Sequence, residues 1–269
     1  MATYREREDE LFSRWKRAFK ERDGVDPESN FAADGLLFRG EYAWLYDSCW
    51  ERQSGNESEI WESAKCRLLI LTKDTTRNSE LFDIRIETAL QNISRDIKVP
   101  AEGIYRNLTL WSYALLNAVQ GGEILEYDML PNWDILREHY ASAPIARVNC
   151  KKQIGGSSVS NEVLQYHIER YSDLLSEQIA MYDADIILCG GGSGTIKNFV
   201  QQHYLTDLQA FSTDAWVYFS PSTGKIVIDS YHPSYLVHSN SDKNIKLFYS
   251  QMMEDVTNFL KAHPEYIKR

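Results

Sequence analysis

Residues 67–72 read RLLILT, a short apolar run that leads directly into the polar stretch KDTTRN at residues 73–78. An apolar run of this length between polar flanks is typical of a strand that is buried on both faces. Two further runs have the same form, IARVNC at residues 145–150 and DIILC at residues 185–189. These three runs predict the centre of a β-sheet.

A strand pair and several helices complete the pattern. Residues 216–219 and 225–229, joined by the turn SPSTG, predict two more strands. Helical periodicity predicts helices at residues 4–22, 104–119, 161–182 and 243–262. Short strands that alternate with helices form a sheet with helices on both faces. We therefore expect an α/β fold, a three-layer αβα arrangement with a central, mostly parallel sheet of about four strands.

No linker divides the 269 residues, and we expect a single domain over 1–269. Its core is predicted at residues 63–262. Residues 1–62 combine one amphipathic helix with an irregular aromatic stretch, so we expect an N-terminal helical or irregular extension packed on the core.

Composition excludes several classes of protein. A net charge of −10 counts against binding of long DNA mainly by electrostatics. There is no apolar segment of membrane-spanning length and no secretory signal, so we expect a cytoplasmic protein without a membrane partner. The four cysteines lack C-x-x-C spacing, so we expect no zinc ribbon or local Cys-ligated cluster, and we expect Cys66, Cys150 and Cys189 to be reduced core thiols.

In parallel sheets, ligands bind outside the carboxyl ends of the strands. The loops expected there are rich in positive charge, which would give a local basic mouth suited to a phosphate-bearing ligand such as DNA or a nucleotide. Ordinary solvated loop charges are the alternative. The positive residues are Lys73, Arg77, Lys151, Lys152, His232 and His238, with Lys197 and Lys243 close behind.

The segment at residues 190–194, GGGSG, lies between a predicted strand and a helix that begins near Thr195. Gly191, Gly192 and Ser193 can present backbone N–H groups to a phosphate in that setting. Thr195 breaks both the dinucleotide-binding and the G-x-S-x-G patterns, and there is no GK[ST]. A tight strand-to-helix turn without a ligand is the alternative.

Three polar side chains at predicted strand ends could carry chemistry. Asp74 could act as a general base or stabilise a cation, although a capping role would also place an Asp there. His232 could donate a hydrogen bond to an oxyanion, or be a structural histidine beside a turn. Asn149, within an apolar strand, could pair with the edge of a nucleobase or hold a neighbouring loop.

Taken in order, these features resemble the uracil-DNA glycosylase superfamily. In that family, successive strands end in a G-Q-D-P-Y-like loop, an Asn-containing segment, a glycine and a His-Pro-Ser motif. The similar segments here are LTKDTT at 71–76, VNC at 148–150, LCGG at 188–191 and YHPSY at 231–235. The resemblance covers roughly residues 65–260 and implies a uracil-DNA glycosylase-like fold.

The resemblance also implies roles for individual residues. Asp74 matches the acid that positions water, Asn149 the residue that hydrogen-bonds the base, and His232 the histidine that stabilises charge on the leaving base. Ser234 and the 190–194 turn would lie near DNA phosphates. Family members extrude a base and cleave its N-glycosidic bond without a metal, so neither a metal nor an organic cofactor is implied.

The chain departs from the family at several positions. Thr75 and Thr76 replace the Pro and Tyr that shape the base pocket, and Tyr235 replaces a Pro in the segment that wedges into DNA, where Leu236 remains as a candidate wedge. Three hypotheses therefore stay open: a DNA glycosylase acting on a uracil-type or modified base, a non-catalytic relative that binds a nucleotide or nucleic acid, and an unrelated small-molecule hydrolase or transferase. The sequence leaves the oligomeric state open.

Overall fold

The structure is a computed structural model that describes residues 2–44, 50–73, 83–86, 104–155, 158–235 and 242–268. Its strands are β1 (Gly35–Leu36), β2 (Gly40–Trp44), β3 (Trp50–Gly55), β4 (Leu68–Thr72), β5 (Ile145–Asn149), β6 (Ile186–Gly190), β7 (Gln209–Ala210), β8 (Val217–Ser220) and β9 (Lys225–Ser230). Its α-helices are α1 (Tyr4–Ala18), α2 (Glu57–Ser63), α3 (Ile104–Val119), α4 (Trp133–Ser142), α5 (Asn161–Arg170), α6 (Ser172–Tyr182), α7 (Thr195–His203) and α8 (Asp242–Ala262).

Within the described residues, the main sheet has seven strands in the order β1-β5-β4-β6-β9-β8-β7. The four central strands, β5, β4, β6 and β9, are parallel. The three outer strands pair antiparallel with their neighbours. The α/β class is confirmed, but the expectation of about four mostly parallel strands is wrong. The edge strands β1 and β7 are two residues long, too short to leave an apolar run in the sequence.

Both faces of the sheet are covered by helices. Along β4 successive side chains alternate between faces, so Leu68 and Ile70 pack with α3, α4 and α8, whereas Leu69 and Leu71 pack with α1, α5, α6 and α7. All four side chains are fully buried, and each contributes roughly 1.5–3 kcal/mol to folding. This two-sided burial explains why β4 is apolar at every position.

One predicted helix is divided. The periodicity at residues 161–182 predicts a single helix, but α5 and α6 are separated at Tyr171, whose φ of −122° and ψ of 25° lie outside helical geometry. The aromatic ring of Tyr171 stacks on Trp15 of α1 at 5.1 Å. Tertiary packing of this ring accompanies a break that the apolar spacing does not reveal.

The N-terminal segment takes part in the main sheet as well as in one helical layer. Leu36 of β1 pairs with Ala146 of β5, and α1 buries Leu11, Phe12 and Trp15 in the same cluster as β4. Among the described residues, no helix combines the length and the apolar character that spanning a membrane requires.

Candidate functional site

The order of the parallel strands defines a crevice at one edge of the sheet. The chain leaves β4 for β5 through α3 and α4 on one face, and it leaves β6 on its way to β9 through α7 on the other face. Connections that leave to opposite faces open a gap at the carboxyl ends of the two strands between them, here β4 and β6, and ligands bind in such gaps.

A cleft of about 540 Å³ lies at this edge, within the range of small-molecule sites. Its walls come from the loops after β4, β6 and β9 and from the approach to β8. The residues that line it are Lys73, Gly191, Gly192, Ser193, Gly194, Asp214, Ala215, Trp216, Asp229, Ser230, Tyr231, His232 and Tyr235.

Close packing of three loops forms the floor of the cleft. Gly191 has a φ of +97°, and a Cβ there would lie 3.0 Å from Cβ of His232 and 3.1 Å from Cε of Lys73. A Cβ on Gly190 would lie 3.0 Å from Cδ of Pro233. Glycine at these positions therefore lets the segment after β9 fold back across the end of β6.

The turn at residues 191–194 leads into α7 without a side-chain cap. Gly192, Ser193 and Gly194 all have positive φ, and Gly194 is the N-cap residue. Helix N-termini carry unsatisfied N–H groups and a partial positive charge. The predicted phosphate-binding residues Gly191, Gly192 and Ser193 thus line the cleft together at the start of α7. The N–H of Gly191 donates to the carbonyl of Ser230 at 2.9 Å, so Gly192 and Ser193 are the ones that can present N–H groups to an anion.

His232 is held in one tautomer. The backbone N–H of Ser234 points at Nδ1 of His232 from 3.2 Å, and Oγ of Ser234 lies 2.7 Å from the same nitrogen. Because an amide N–H can only donate, Nδ1 is the acceptor, and the neutral ring carries its proton on Nε2. His232 therefore offers an N–H donor, and Ser234 supports that ring.

Burial, together with the positive charges of Arg147 and Lys73, lowers the pKa of His232 to about 4. The ring is neutral at physiological pH. A neutral imidazole that donates through Nε2 can stabilise an oxyanion without itself carrying a full charge.

Asn149 is fully buried at the end of β5 and does not line the cleft. Its Oδ1 accepts a hydrogen bond from Oγ1 of Thr72 at 2.5 Å, and its backbone N–H donates to Oδ2 of Asp34 at 2.8 Å. Asn149 ends β5 and Ser230 ends β9, and the two strands are three strand spacings apart, about 14 Å. His232 folds back against Gly191, which follows β6, so the histidine lies nearer to β5 than Ser230 does.

The lysines expected to form a basic mouth do not lie together in the structure. Lys73 lines the cleft, with Nζ 3.4 Å from Oδ1 of Asn161. The side chain of Lys152 is fully buried, and its Nζ lies 2.6 Å from both carboxylate oxygens of Asp34. Lys151 is buried and donates to the carbonyl of Gln153. Neither Lys151 nor Lys152 lines the cleft, so the expectation that they contact phosphate is corrected: their ammonium groups serve the fold.

Three predicted site residues, Asp74, Thr75 and Thr76, lie outside the described residues. The same holds for Arg77, Leu236 and His238. Lys73, the residue before Asp74 in the sequence, is the last described residue of this segment and lines the cleft.

Sequence reasoning missed several polar groups of the site. Burial raises the pKa of Asp229 at the end of β9, although Lys197 offsets part of that effect. Oγ of Ser230 is buried at the cleft and has no hydrogen-bond partner among the described residues. Arg147, inside the apolar run IARVN, is also buried, and its positive charge helps to lower the pKa of His232. A charged residue within an otherwise apolar strand was the available signal for Arg147.

Within the described ranges, no group of three or more His, Cys, Asp or Glu side chains is arranged to hold a metal ion. The cleft instead combines an imidazole N–H donor, a lysine, backbone N–H groups and the two carboxyl groups of Asp214 and Asp229. Comparison with known protein families and with curated proteins finds no match for this chain.

Proposed function

We propose that the protein takes one nucleotide of DNA into this cleft and hydrolyses the N-glycosidic bond of a uracil-type or modified base. The observation that carries the proposal is His232, a neutral imidazole with its proton on Nε2, beside Lys73 and the 191–194 turn. A donor for a developing oxyanion and a group of anion-binding N–H donors are what removal of a base from a nucleotide requires.

The reaction is a hydrolysis. The bond between C1′ of the sugar and the base nitrogen breaks, and the base leaves with the bonding electrons. Water forms the new bond to C1′ and releases a proton, which neutralises the leaving base. Nε2–H of His232 stabilises the negative charge that develops on a base carbonyl oxygen. Asp74, the residue after Lys73, is assigned to orient the water and stabilise the cationic sugar.

The relative positions of the loops support the same proposal. The segments after β4, β6 and β9 meet at one cleft, in the chain order that the resemblance to uracil-DNA glycosylases implies. Asn149 lies at the same edge of the sheet and is assigned to hold the base. Its amide would have to exchange its bond with Thr72 for one to the base.

A second candidate function is binding of a nucleotide without base removal. The burial of Asn149 favours it, because a side chain that is 0% exposed does not reach a ligand in the cleft as it stands. Thr75 and Thr76, in place of Pro and Tyr, favour it as well.

A glycosylase assay separates these two functions. The protein is incubated with single- and double-stranded oligonucleotides that carry uracil, hypoxanthine or xanthine, and alkali then reveals abasic sites. We expect cleavage by the wild type, a loss of at least a hundredfold in His232→Ala, and unchanged rates in His203→Ala, which removes an exposed histidine of α7. Absence of cleavage by folded wild-type protein on every substrate, with retained nucleotide binding, would leave the binding function.

A further inference from the structure

A cluster of four aromatic side chains, Trp216, Tyr231, Tyr235 and Phe248, stands at the rim of the cleft; we name it the aromatic shelf. Tyr231 and Tyr235 are stacked, with ring centroids 4.7 Å apart and an angle of 12° between the planes. The ring of Phe248 meets Tyr231 edge-on at 4.7 Å, and Trp216 contacts Tyr231 at 5.6 Å.

The two tyrosines of the shelf are unusually accessible. Tyr231 is 44% exposed and Tyr235 is 48% exposed, although large aromatic rings are usually well buried. Both tyrosines and Trp216 line the cleft itself. The shelf therefore continues the wall of the cleft outward.

Hydrogen bonds hold the backbone of the shelf in place. Nδ2 of the buried Asn107 donates to the carbonyl of Pro233 at 2.7 Å, and the N–H of Tyr235 donates to the carbonyl of His232 at 2.7 Å. Below Trp216, Oδ2 of Asp255 accepts its backbone N–H at 2.9 Å. A backbone fixed in this way, with rings that pack against one another, loses little freedom when a ligand binds, which favours affinity.

The other residues that line the cleft are polar. They offer Lys73, the backbone N–H groups of residues 192–194, the buried hydroxyl of Ser230, which has no partner within the described part of the chain, and the carboxyl groups of Asp214 and Asp229. Burial raises the pKa of Asp229, which favours its neutral form. An aromatic surface favours flat rings, and a lysine beside backbone N–H groups favours phosphate. A nucleic-acid strand carries both, whereas an apolar peptide lacks the anion and a sugar lacks the aromatic face.

We propose that the aromatic shelf stacks an unpaired base next to the nucleotide that occupies the cleft, so that the protein prefers single-stranded DNA. This inference deepens the proposed function and rests on it for the identity of the cleft's occupant. Stacking on aromatic side chains is the usual means by which proteins hold single strands, and a duplex keeps its bases away from such a surface.

The test is binding to a short fluorescein-labelled single strand and to the matching duplex, followed by fluorescence anisotropy. We expect the wild type to bind the single strand at least tenfold more tightly than the duplex. Tyr235→Leu removes a ring and should lose about tenfold of the single-strand affinity, whereas Tyr235→Phe keeps it. Tyr166→Leu is the matched control, since Tyr166 is 54% exposed on α5, outside the cleft lining.

A measurement on the unaltered protein covers the case in which Tyr235→Leu fails to fold. The probe is an oligonucleotide with one 2-aminopurine between two abasic linkers, whose fluorescence is quenched when the base stacks on an aromatic ring. Quenching by the wild type supports the shelf. Lack of quenching at saturating protein, or single-strand binding by folded Tyr235→Leu that equals the wild type, would overturn it.

The outcomes also separate the shelf from the proposed chemistry. His232→Ala should lose cleavage while its single-strand affinity stays within about threefold of the wild type. Shelf-dependent binding by a wild type that cleaves nothing would mean that the chemistry fails and the shelf stands. Cleavage by the wild type, with binding and KM unchanged in Tyr235→Leu, would mean that the shelf alone fails.

Discussion

The backbone N–H of Asn149 donates a hydrogen bond to Oδ2 of Asp34 over 2.8 Å. Asp34 belongs to the N-terminal segment just before β1, and Asn149 ends the strand β5 at the same edge of the sheet as the cleft. The same carboxylate accepts bonds from Nζ of Lys152 and from Nε2 of Gln178 at 2.9 Å. One buried carboxylate thus links the N-terminal segment, the site strand and α6.

The first prediction concerns this buried carboxylate. Asp34→Asn leaves the ammonium of Lys152 without an anionic partner in a fully buried position. We expect the free energy of unfolding, measured with urea, to fall by about 3–5 kcal/mol. Glu177→Gln is the control, because it breaks an exposed pair with Arg14 and should cost less than about 1 kcal/mol. Equal effects of the two changes would contradict the structural role of Asp34.

The second prediction concerns protonation of His232. Burial and the charges of Arg147 and Lys73 lower its pKa to about 4, from 6.5. A group whose pKa falls on folding is neutral in both states above pH 6.5, so the folded state keeps its full stability there. That stability is lost as pH falls from 6.5 to about 4, by up to about 3 kcal/mol.

Nuclear magnetic resonance titration of the imidazole measures this pKa directly, and denaturant unfolding at pH 7 and pH 4.5 measures its consequence. His232→Gln should lose less stability over this interval than the wild type. Between pH 8 and pH 5, protonation of His232 should cause no decline in any activity that depends on the neutral ring. A midpoint near 6.5 in the titration would refute the prediction.

The third prediction concerns the glycine at the floor of the cleft. Gly191→Ala adds a Cβ that meets His232 at 3.0 Å and Lys73 at 3.1 Å, and its φ of +97° strains any other residue. We expect a loss of about 2–3 kcal/mol in stability and a displaced His232. Gly24→Ala is a matched control, since its φ is +65° but its Cβ would meet nothing within 4 Å.

Gly24→Ala should therefore cost about 1–2 kcal/mol from backbone strain alone. Thermal unfolding compares the two variants, and the glycosylase assay or nucleotide titration reports on the site. If Gly24→Ala proved as harmful as Gly191→Ala, steric contact with His232 would not be the cause.

The fourth prediction separates two lysines that the sequence places on neighbouring loops. Lys73→Gln removes a cation from the cleft, so the affinity for an oligonucleotide should fall and the slope of log affinity against log salt should decrease by about 1. Stability should change by less than about 0.5 kcal/mol. Lys152→Gln should do the reverse. It should lower the free energy of unfolding by about 3–5 kcal/mol, and the protein that remains folded should show the wild-type slope of log affinity against log salt. A reduced salt slope in Lys152→Gln would place that lysine at the ligand.

The central strands could be predicted from the sequence because burial on both faces requires unbroken apolar runs. The runs RLLILT, IARVNC and DIILC became β4, β5 and β6, and the order of polar segments after them located the cleft. Short strands leave no such signal. Pairing of Gly35 with Arg147 and of Gln209 with Phe219 depends on which strand edge is available, and only the assembled sheet decides that.

Local sequence determined that Lys73, residues 191–194 and His232 follow strands, and parallel strands bring their carboxyl ends together at one edge. It could not determine which charged side chains face that edge. Lys73 and Lys152 both follow strand runs, yet one lines the cleft and the other is buried on Asp34, more than a hundred positions away in the chain. Burial and charge pairing are set by distant neighbours, so the tertiary structure alone decided which lysine lines the cleft and which is buried in the fold.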